Sequence, residues 1–269
     1  MAPKKALKPS KETRSPPAIP SWPALSPRLP PPKQRLTTLH PGIITTPLLP
    51  APLCATYRSF LATLPLTVTP VSNRKTHALR VNDRFSVSDA AFAHRLWRDT
   101  GLGDLVTRGH VDGEEMGEEA RAELWGGEVL GLNENVRVYR YRQGQFFEKH
   151  YDEENMVVFD AGAGRKGEEE EEEAGGQGAV RGRTTWTLLV YLSGRETGCE
   201  GGETVFWPGE ETYGGFETVG MGRKEAVVAE MEVGMALLHR HGKECLLHQG
   251  REVIKGEKWV IRSDLVVRR

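Results

Sequence analysis

The stretch Val136–Asp152, with the sequence VRVYRYRQGQFFEKHYD, decides the fold and locates the chemistry of this chain. Its first half interleaves valine and tyrosine with arginine, which is typical of a half-buried β-strand. Gly144 predicts a turn or bulge, and an apolar pair then leads to His150 and Asp152. Because side chains two residues apart on a strand share a face, we expect this imidazole and carboxylate to lie side by side. Such a pair supplies two of the three ligands in the facial triad that holds non-haem Fe(II), although a lone His-x-Asp also arises as an ordinary surface pair.

The charge and proline content divide the chain into two parts. Fourteen of the 17 prolines lie in the first 52 residues, and the first 80 residues carry twelve Lys or Arg against a single acid. The remainder carries 24 Lys or Arg against 36 acids. This asymmetry predicts a basic, Pro-rich, largely disordered tail and linker over residues 1–76, followed by a globular domain at 77–269. Residues 1–35 should then be dispensable for folding, whereas residues 36–76 are either linker or a strand at the domain edge.

The cysteines and apolar runs bear on the location of the protein. Three widely spaced cysteines form no CxxC, so the sequence indicates neither a zinc knuckle nor a disulfide scaffold. We therefore expect a reducing intracellular location, cytoplasmic or nuclear, with organelle targeting by the basic N-terminus left open. The chain has no run of 18 apolar residues, so we expect no membrane span. Nucleic acid is not an expected partner.

The order of helical and strand signals predicts the fold class. Asp89 is a suitable N-cap for a helix over residues 90–97, and residues 113–124 predict a second, acidic helix. From residue 184 onward, apolar runs bounded by glycine predict several strands, so we expect an α+β protein built on a jelly roll with flanking helices. A Gly/Glu insertion at 160–183 contains six consecutive glutamates and is predicted to be a disordered loop.

Four ordered blocks of the sequence carry a resemblance to a known family. They are Tyr141-x-x-Gly-Gln-x-Phe-x-x-His150-x-Asp152, Thr187-x-x-x-Tyr-Leu192, Gly201-Gly-x-Thr-x-Phe206 and His248-x-Gly-x-x-Val-x-x-Gly-x-Lys258. Each block alone is a weak signal. Together, over roughly residues 130–265, they resemble a 2-oxoglutarate- and Fe(II)-dependent oxygenase of the prolyl 4-hydroxylase-like group.

The resemblance implies a double-stranded β-helix and a defined set of site residues. The implied iron ligands are His150, Asp152 and His248. Lys258 would pair with the distal carboxylate of 2-oxoglutarate, and the hydroxyls of Tyr141 and Thr187 would help to hold that carboxylate. No catalytic residue is implied beyond the metal centre. A lysine suits this position because a buried dianion needs a compact positive charge at its far end.

Reasoning from the residues alone leaves several alternatives open. The distal metal ligand must come from another strand, and His239 and His241 compete with the implied histidine for that role. Thr187 also fits a plain β-branched strand residue. Arg262 lies four residues after Lys258 and would share its strand face, so it is the rival partner of the co-substrate carboxylate.

The resemblance also implies the cofactors and the reaction. Fe(II), 2-oxoglutarate and dioxygen are the implied partners, and ascorbate binding is compatible with them. The implied reaction converts 2-oxoglutarate to succinate and CO2 while hydroxylating an unactivated C–H bond. The substrate stays open between a peptidyl residue and a small molecule, because the sequence after Lys258 departs from the collagen-type enzymes. The alternative is a catalytically inactive jelly-roll interaction module that retains the fold.

Overall fold

The structure is a computed structural model that describes residues 17–69, 78–160, 179–209, 211–213, 216–218 and 225–269. Two predictions, for the first 16 residues and for residues 161–178 of the acidic insertion, lie outside these ranges. Within them, no helix is both long enough and apolar enough to cross a membrane.

The described residues form four α-helices and eighteen β-strands. The helices are α1 (Ala51–Leu61), α2 (Ala90–Asp99), α3 (Leu102–Arg108) and α4 (Glu118–Trp125). The first nine strands are β1 (Thr37–His40), β2 (Ile43–Pro47), β3 (Thr67–Val68), β4 (Asp83–Ser88), β5 (Val129–Leu132), β6 (Asn135–Arg142), β7 (Phe147–His150), β8 (Met156–Phe159) and β9 (Val180–Tyr191). The remaining strands are β10 (Glu200–Gly201), β11 (Thr204–Trp207), β12 (Glu211–Tyr213), β13 (Phe216–Thr218), β14 (Val227–Ala229), β15 (Met235–Arg240), β16 (Leu247–Gly250), β17 (Val253–Lys255) and β18 (Glu257–Arg268).

Two antiparallel sheets form the jelly roll. The larger sheet has the strand order β1-β2-β15-β9-β18-β6-β4-β3, with β5 paired to β18 and β8 paired to β9. The smaller sheet has the order β14-β11-β16-β7, and two short ribbons pair β10 with β17 and β12 with β13. Side chains from both sheets share one buried apolar cluster, so the sheets pack face to face. The predicted α+β jelly-roll fold with flanking helices is confirmed.

The strand alternation of the larger sheet sorts its side chains into two layers. On β6, Val136 and Val138 join the core beneath the helices, whereas Tyr139 and Tyr141 join the cluster between the sheets. Strands β9, β15 and β18 alternate in the same way, because successive side chains of a strand point to opposite faces. The polar residues of these strands that face the smaller sheet are therefore brought into one narrow space.

The helices match the sequence signals only in part. Helix α2 begins as predicted, since the Asp89 carboxylate accepts a hydrogen bond of 2.8 Å from the Phe92 backbone N–H. The acidic helix is shorter than predicted and starts at Glu118 rather than at residue 113. Helix α3 was not predicted, because seven residues are too few to display a helical period.

The globular domain begins well before the predicted boundary at residue 77. Strands β1 and β2 extend the larger sheet through pairing of β2 with β15, and α1 buries Tyr57 completely. Further upstream, the Trp22 ring stacks on Phe92 with a centroid distance of 3.9 Å, and its Nε1–H donates to Asp89 Oδ2 at 2.8 Å. The average composition of this segment conceals these contacts, because a few apolar side chains between the prolines join the core at Phe92 of α2. The loop predicted at 160–183 likewise ends earlier, since β9 starts at residue 180.

Candidate metal and co-substrate site

Histidines from both sheets meet at one end of the space between the sheets. In the smaller sheet, His150 on β7 lies directly opposite His248 on β16 in the strand register. Asp152 follows β7 and turns its carboxylate towards both rings. From the larger sheet, β15 contributes His239, whose ring centroid lies 4.5 Å from that of His248. The fold therefore brings together all three residues of the implied triad and one of the two rival histidines.

The three imidazoles share one orientation. Each turns its Nδ1 towards a backbone carbonyl oxygen: His150 towards Glu148 at 2.8 Å, His248 towards Leu246 at 2.9 Å, and His239 towards Arg240 at 3.3 Å. Because a carbonyl oxygen only accepts hydrogen bonds, each Nδ1 carries the proton and each Nε2 presents a lone pair. The backbone of these strands thus holds each histidine in the tautomer whose Nε2 lone pair can coordinate a cation.

The Nε2 atoms converge on the Asp152 carboxylate. The distance from His150 Nε2 to Asp152 Oδ1 is 3.7 Å, and the distances to Oδ2 are 3.7 Å from His239 Nε2 and 3.9 Å from His248 Nε2. The ligand atoms of His150, Asp152 and His248 all lie within 4.8 Å of one another, and a second group of His239, Cys245 and His248 meets the same limit. These imidazole lone pairs and carboxylate oxygens face one another with no proton between them, so together they can coordinate a cation.

The ionisation of these groups suits Fe(II). Burial lowers the pKa of each of the three imidazoles, which keeps them neutral. Burial alone would raise the pKa of Asp152, but positive charge, above all the Arg262 guanidinium, outweighs it and holds that pKa well below its usual value. Neutral imidazoles with one carboxylate match the donor set of non-haem Fe(II) sites.

Arg262 lies at the end of the site that contains the histidines and Asp152. Its Nη2 is 3.0 Å from Asp152 Oδ2 and 3.5 Å from Asp264 Oδ1, and Arg137 Nη2 approaches Asp264 Oδ2 at 2.6 Å. Burial would lower the pKa of Arg262, but the two carboxylates raise it above its ordinary value. Charges of alternating sign therefore continue from Asp152 to Arg137, and the guanidinium of Arg262 is already engaged by two carboxylates.

The Thr187 hydroxyl lies at the same end of the site as Asp152 and Arg262. It donates to Asp152 Oδ2 at 2.8 Å and lies 3.3 Å from Arg262 Nη2 and 3.2 Å from His241 Nδ1. Because its single proton is committed to Asp152, His241 Nδ1 must be the donor in the last of these bonds. Thr187 pairs in register with Asp264, about 20 Å along β18 from Lys258. The predicted contact of Thr187 with the distal carboxylate stays a prediction, and the structure shows its hydroxyl bound to Asp152.

Lys258 occupies the opposite end of the site. Its side chain is 95% buried, its Nζ donates to the Gly202 carbonyl at 2.6 Å, and it forms no salt bridge with any acid that the structure describes. Burial lowers the pKa of Lys258 to about 8. Gly202 has a φ of +81°, which glycine adopts without strain, and a Cβ there would lie 3.3 Å from Lys258 Cδ. Among the described residues, this buried cation therefore has no carboxylate within salt-bridge distance.

Aromatic rings and hydroxyls enclose this lysine. Its Nζ lies 5.4 Å from the Tyr141 ring centroid and 5.3 Å from that of Tyr191, whose hydroxyl is 2.7 Å from Thr204 Oγ1. Burial raises the pKa of Tyr141 to about 12, so its phenol keeps its proton and can donate. Tyr191 and Thr204 were missed as site residues, although both fall in the quoted blocks and strand alternation could have placed them. One cavity joins this end of the site to the histidines.

A stack of three side chains supports the first histidine. The Phe147 ring centroid lies 3.5 Å from that of His150, and the Arg80 guanidinium carbon lies 3.8 Å from the same phenyl centroid. Two groups this close must occupy opposite faces of the phenyl ring. Arg80 lies far from the quoted blocks in the sequence, and no local signal indicated that it reaches the site.

A family comparison adds to this geometry. Residues 136–263 match the sequence model of the 2OG-Fe(II) oxygenase superfamily. These residues form a 2OG-Fe(II) oxygenase domain. The expectation of a dioxygenase that uses Fe(II) and 2-oxoglutarate is confirmed at the level of the family. Among curated proteins, none matches this chain.

The chain is also similar to several solved structures, all at low sequence identity. The viral collagen prolyl hydroxylase of Paramecium Bursaria Chlorella virus-1, solved with 2OG, is 14% identical over 84% of this chain and 96% of its own, with a TM-score of 0.47. A Trichoplax adhaerens prolyl hydroxylase, in complex with a hypoxia inducible factor peptide fragment, is 13% identical over 84% and 83%, with a TM-score of 0.48. HygX from Streptomyces hygroscopicus, with nickel and 2-oxoglutarate bound, is 13% identical over 84% and 83%, with a TM-score of 0.45. These identities are low, so the family assignment depends on the match of residues 136–263.

Proposed function

We propose that this protein is an active dioxygenase that hydroxylates an unactivated C–H bond while converting 2-oxoglutarate to succinate and CO2. One observation carries the proposal. A cluster of metal donors lies at one end of a cavity, and a buried Lys258 that forms no salt bridge with any described acid lies at the other. This separation of a cation site from a fixed positive charge suits a keto acid with a carboxylate at each end.

We assign the metal to His150, Asp152 and His248. The donor set fits Fe(II), and three protein ligands would leave positions for the 1-carboxylate and 2-oxo groups of the co-substrate and for dioxygen. When bound, Fe(II) supplies the centre at which dioxygen is activated. The chain supports these ligands through the backbone carbonyls that fix both imidazole tautomers and through Thr187 and Arg262, which orient the carboxylate.

We assign the distal carboxylate of 2-oxoglutarate to Lys258, with the Tyr141 hydroxyl as a second donor. Arg262 is the less suitable partner, because Asp152 and Asp264 already engage its guanidinium. The apolar side chains of Leu189 and Val260 line the cavity between the two ends and limit the access of water. The protein's part in the reaction is to bind, orient and shield the co-substrate.

Decarboxylation of 2-oxoglutarate by the full chain tests this function. With Fe(II), dioxygen and 2-oxoglutarate, the wild-type protein should release succinate and CO2 above the metal-free background even without its primary substrate. Asp152→Ala should lose both iron binding and succinate formation, whereas Glu153→Ala, at the exposed neighbouring carboxylate, should keep both. A wild-type protein that binds iron but forms no succinate would instead support the inactive interaction module.

A further inference from the structure

We propose that the primary substrate is an acidic segment of a polypeptide, which presents a carboxylate to arginines at the open side of the site. Arg80, Arg84 and Arg137 form this surface, which we call the arginine face. The inference rests on the proposed function, because it names the substrate class of the same site. It goes beyond that function because hydroxylation of a C–H bond does not specify the charge of the molecule that carries the bond.

The sheet face that lines the site becomes exposed beyond β18. In the strand register, Tyr139 on β6 lies between Val260 on β18 and Arg84 on β4, so these three side chains point to the same face. Along this row Val260 is 2% exposed and Tyr139 is 6% exposed, whereas Arg84 is exposed to solvent. The smaller sheet, whose edge strand is β7, therefore leaves the β4 end of the row uncovered. The site is open on this side.

Arg80 reaches the open side from the segment that precedes β4. Its guanidinium carbon lies 3.8 Å from the Phe147 ring centroid and 5.1 Å from the Tyr139 ring centroid, and its side chain lines the same cavity as His150. Because the Phe147 ring also stacks on His150, a single ring separates the guanidinium from an assigned metal ligand. An anionic group bound to Arg80 would therefore lie beside the site of the proposed reaction.

The arginine face carries more positive charge than the neighbouring acids neutralise. Asp264 is shared between Arg137 at 2.6 Å and Arg262 at 3.5 Å. Arg80 and Arg84 form no salt bridge with any acid in the part of the chain that the structure describes. A guanidinium presents its donors in a fixed fork that matches the two oxygens of a carboxylate. An acidic side chain of the substrate would supply the missing partner.

The pKa of Tyr139, at the centre of this surface, agrees with the sign of the charge. Burial alone would raise that pKa, but the guanidinium groups of Arg262, Arg80 and Arg137 outweigh burial and lower it. The surroundings of the phenol therefore favour negative charge, as the binding of an anionic substrate requires.

The open shape of the arginine face favours a polypeptide over a small molecule. Sites for small molecules enclose most of the surface of their ligand. This surface is instead exposed at Arg84 and extends across two paired strands, β4 and β6. An extended segment can lie along it, with an acidic side chain at Arg80 and the adjoining residue directed towards the histidines.

Fluorescence anisotropy of two labelled ten-residue peptides tests the proposal on the full chain. In one peptide glutamate alternates with proline, which keeps the peptide extended, and in the other glutamine replaces every glutamate. Saturating Mn²⁺ and 2-oxoglutarate are present, so that Lys258 is already occupied. The wild-type protein should bind the glutamate peptide at least about tenfold more tightly than the glutamine peptide, because hydrogen bonds to charged groups are the stronger ones.

Four variants separate charge from packing through the ratio of the two dissociation constants. Arg80→Met keeps a long side chain against Phe147 and should reduce the ratio about tenfold, whereas Arg80→Lys should retain part of it. Arg84→Gln should reduce the ratio roughly two- to fivefold, and it tests the proposal if Arg80→Met does not fold. Arg142→Gln is the matched control, since Arg142 lies on the opposite face of β6 with its side chain 53% exposed, and it should leave the ratio unchanged.

A merely structural role for Arg80 would weaken the binding of both peptides by the same factor. Equal binding of the two peptides by the wild-type protein, or a ratio that neither Arg80→Met nor Arg84→Gln changes, would overturn the proposal. Free glutamate that displaced the glutamate peptide at an equal concentration would also overturn it, because the site would then take a small carboxylic acid. Failure of the proposed function has a different signature, because the wild-type protein would then form no succinate whichever peptide it binds.

Discussion

Replacing Lys258 by methionine isolates the charge that we assign to the distal carboxylate of 2-oxoglutarate. Methionine keeps much of the length and apolar character of the lysine side chain, so packing against the Tyr141 and Tyr191 rings is largely preserved. Lys258 is 95% buried and has no acidic partner among the described residues. The substitution therefore removes the ammonium without leaving a protein carboxylate unpaired, and the protein should remain folded.

The magnitude follows from this burial. When 2-oxoglutarate binds to the variant, its distal carboxylate enters a dry site without a counter-charge, which costs on the order of 3–5 kcal/mol. That loss corresponds to a rise of about two to three and a half orders of magnitude in the 2-oxoglutarate concentration needed for half-maximal succinate formation. Iron affinity should change little, because Lys258 lies at the end of the cavity opposite the donor cluster.

The assay compares three variants by titrating 2-oxoglutarate against succinate formation at saturating Fe(II). Lys255→Met is the matched control, since Lys255 lies three residues away, is exposed and pairs with Glu200 at 3.1 Å. Arg262→Met should mainly weaken iron binding, because Arg262 contacts Asp152 at 3.0 Å. If Arg262→Met carries the large co-substrate defect with normal iron binding while Lys258→Met behaves as wild type, the assignment moves to Arg262.

Three further predictions concern pH, metal affinity and stability. Burial lowers the pKa of Lys258 to about 8. Above this pH the ammonium is lost, so the dissociation constant of 2-oxoglutarate should rise about tenfold per pH unit. A dissociation constant that stays unchanged from pH 7 to 10 would contradict this prediction. Thr187→Val removes the hydroxyl that donates to Asp152, so it should weaken Fe(II) binding roughly 10- to 100-fold. A variant with normal Fe(II) binding and weakened 2-oxoglutarate binding would show that Thr187 instead holds the co-substrate. Trp22→Ala should lower the free energy of unfolding by about 3–5 kcal/mol in denaturant titrations, because the ring stacks on Phe92. An unchanged midpoint of the unfolding transition would place residues 17–35 outside the folded domain.

Local signals in the sequence predicted much of the architecture. The interleaving of β6 predicted a half-buried strand, and the cap at Asp89 predicted the start of α2. The spacing of His150 and Asp152 predicted two metal donors side by side. These predictions depend on interactions within a few residues of the chain, where the period of a strand or the capping of a helix leaves a readable pattern.

Contacts between distant segments could not be predicted in this way. Composition assigned residues 1–76 to a tail and linker, with a strand at the domain edge left open for residues 36–76. Trp22 nevertheless packs on α2, because a single buried ring can anchor a segment whose average composition is polar. Strand alternation placed Lys258 and Arg262 on one face. Only the surrounding strands bring Asp152 and Asp264 to the arginine and leave the lysine without a salt bridge to any acid that the structure describes.

The set of histidines that meet at the site was likewise decided by tertiary structure. The sequence determined that His150, His239 and His248 were available as ligands, and the resemblance to a family selected two of them. The pairing of β16 with β7 and the packing of β15 across the jelly roll bring all three Nε2 atoms to one carboxylate. Strand periodicity fixes the face on which a side chain lies, but the packing of one sheet against the other determines which side chains from distant strands meet there.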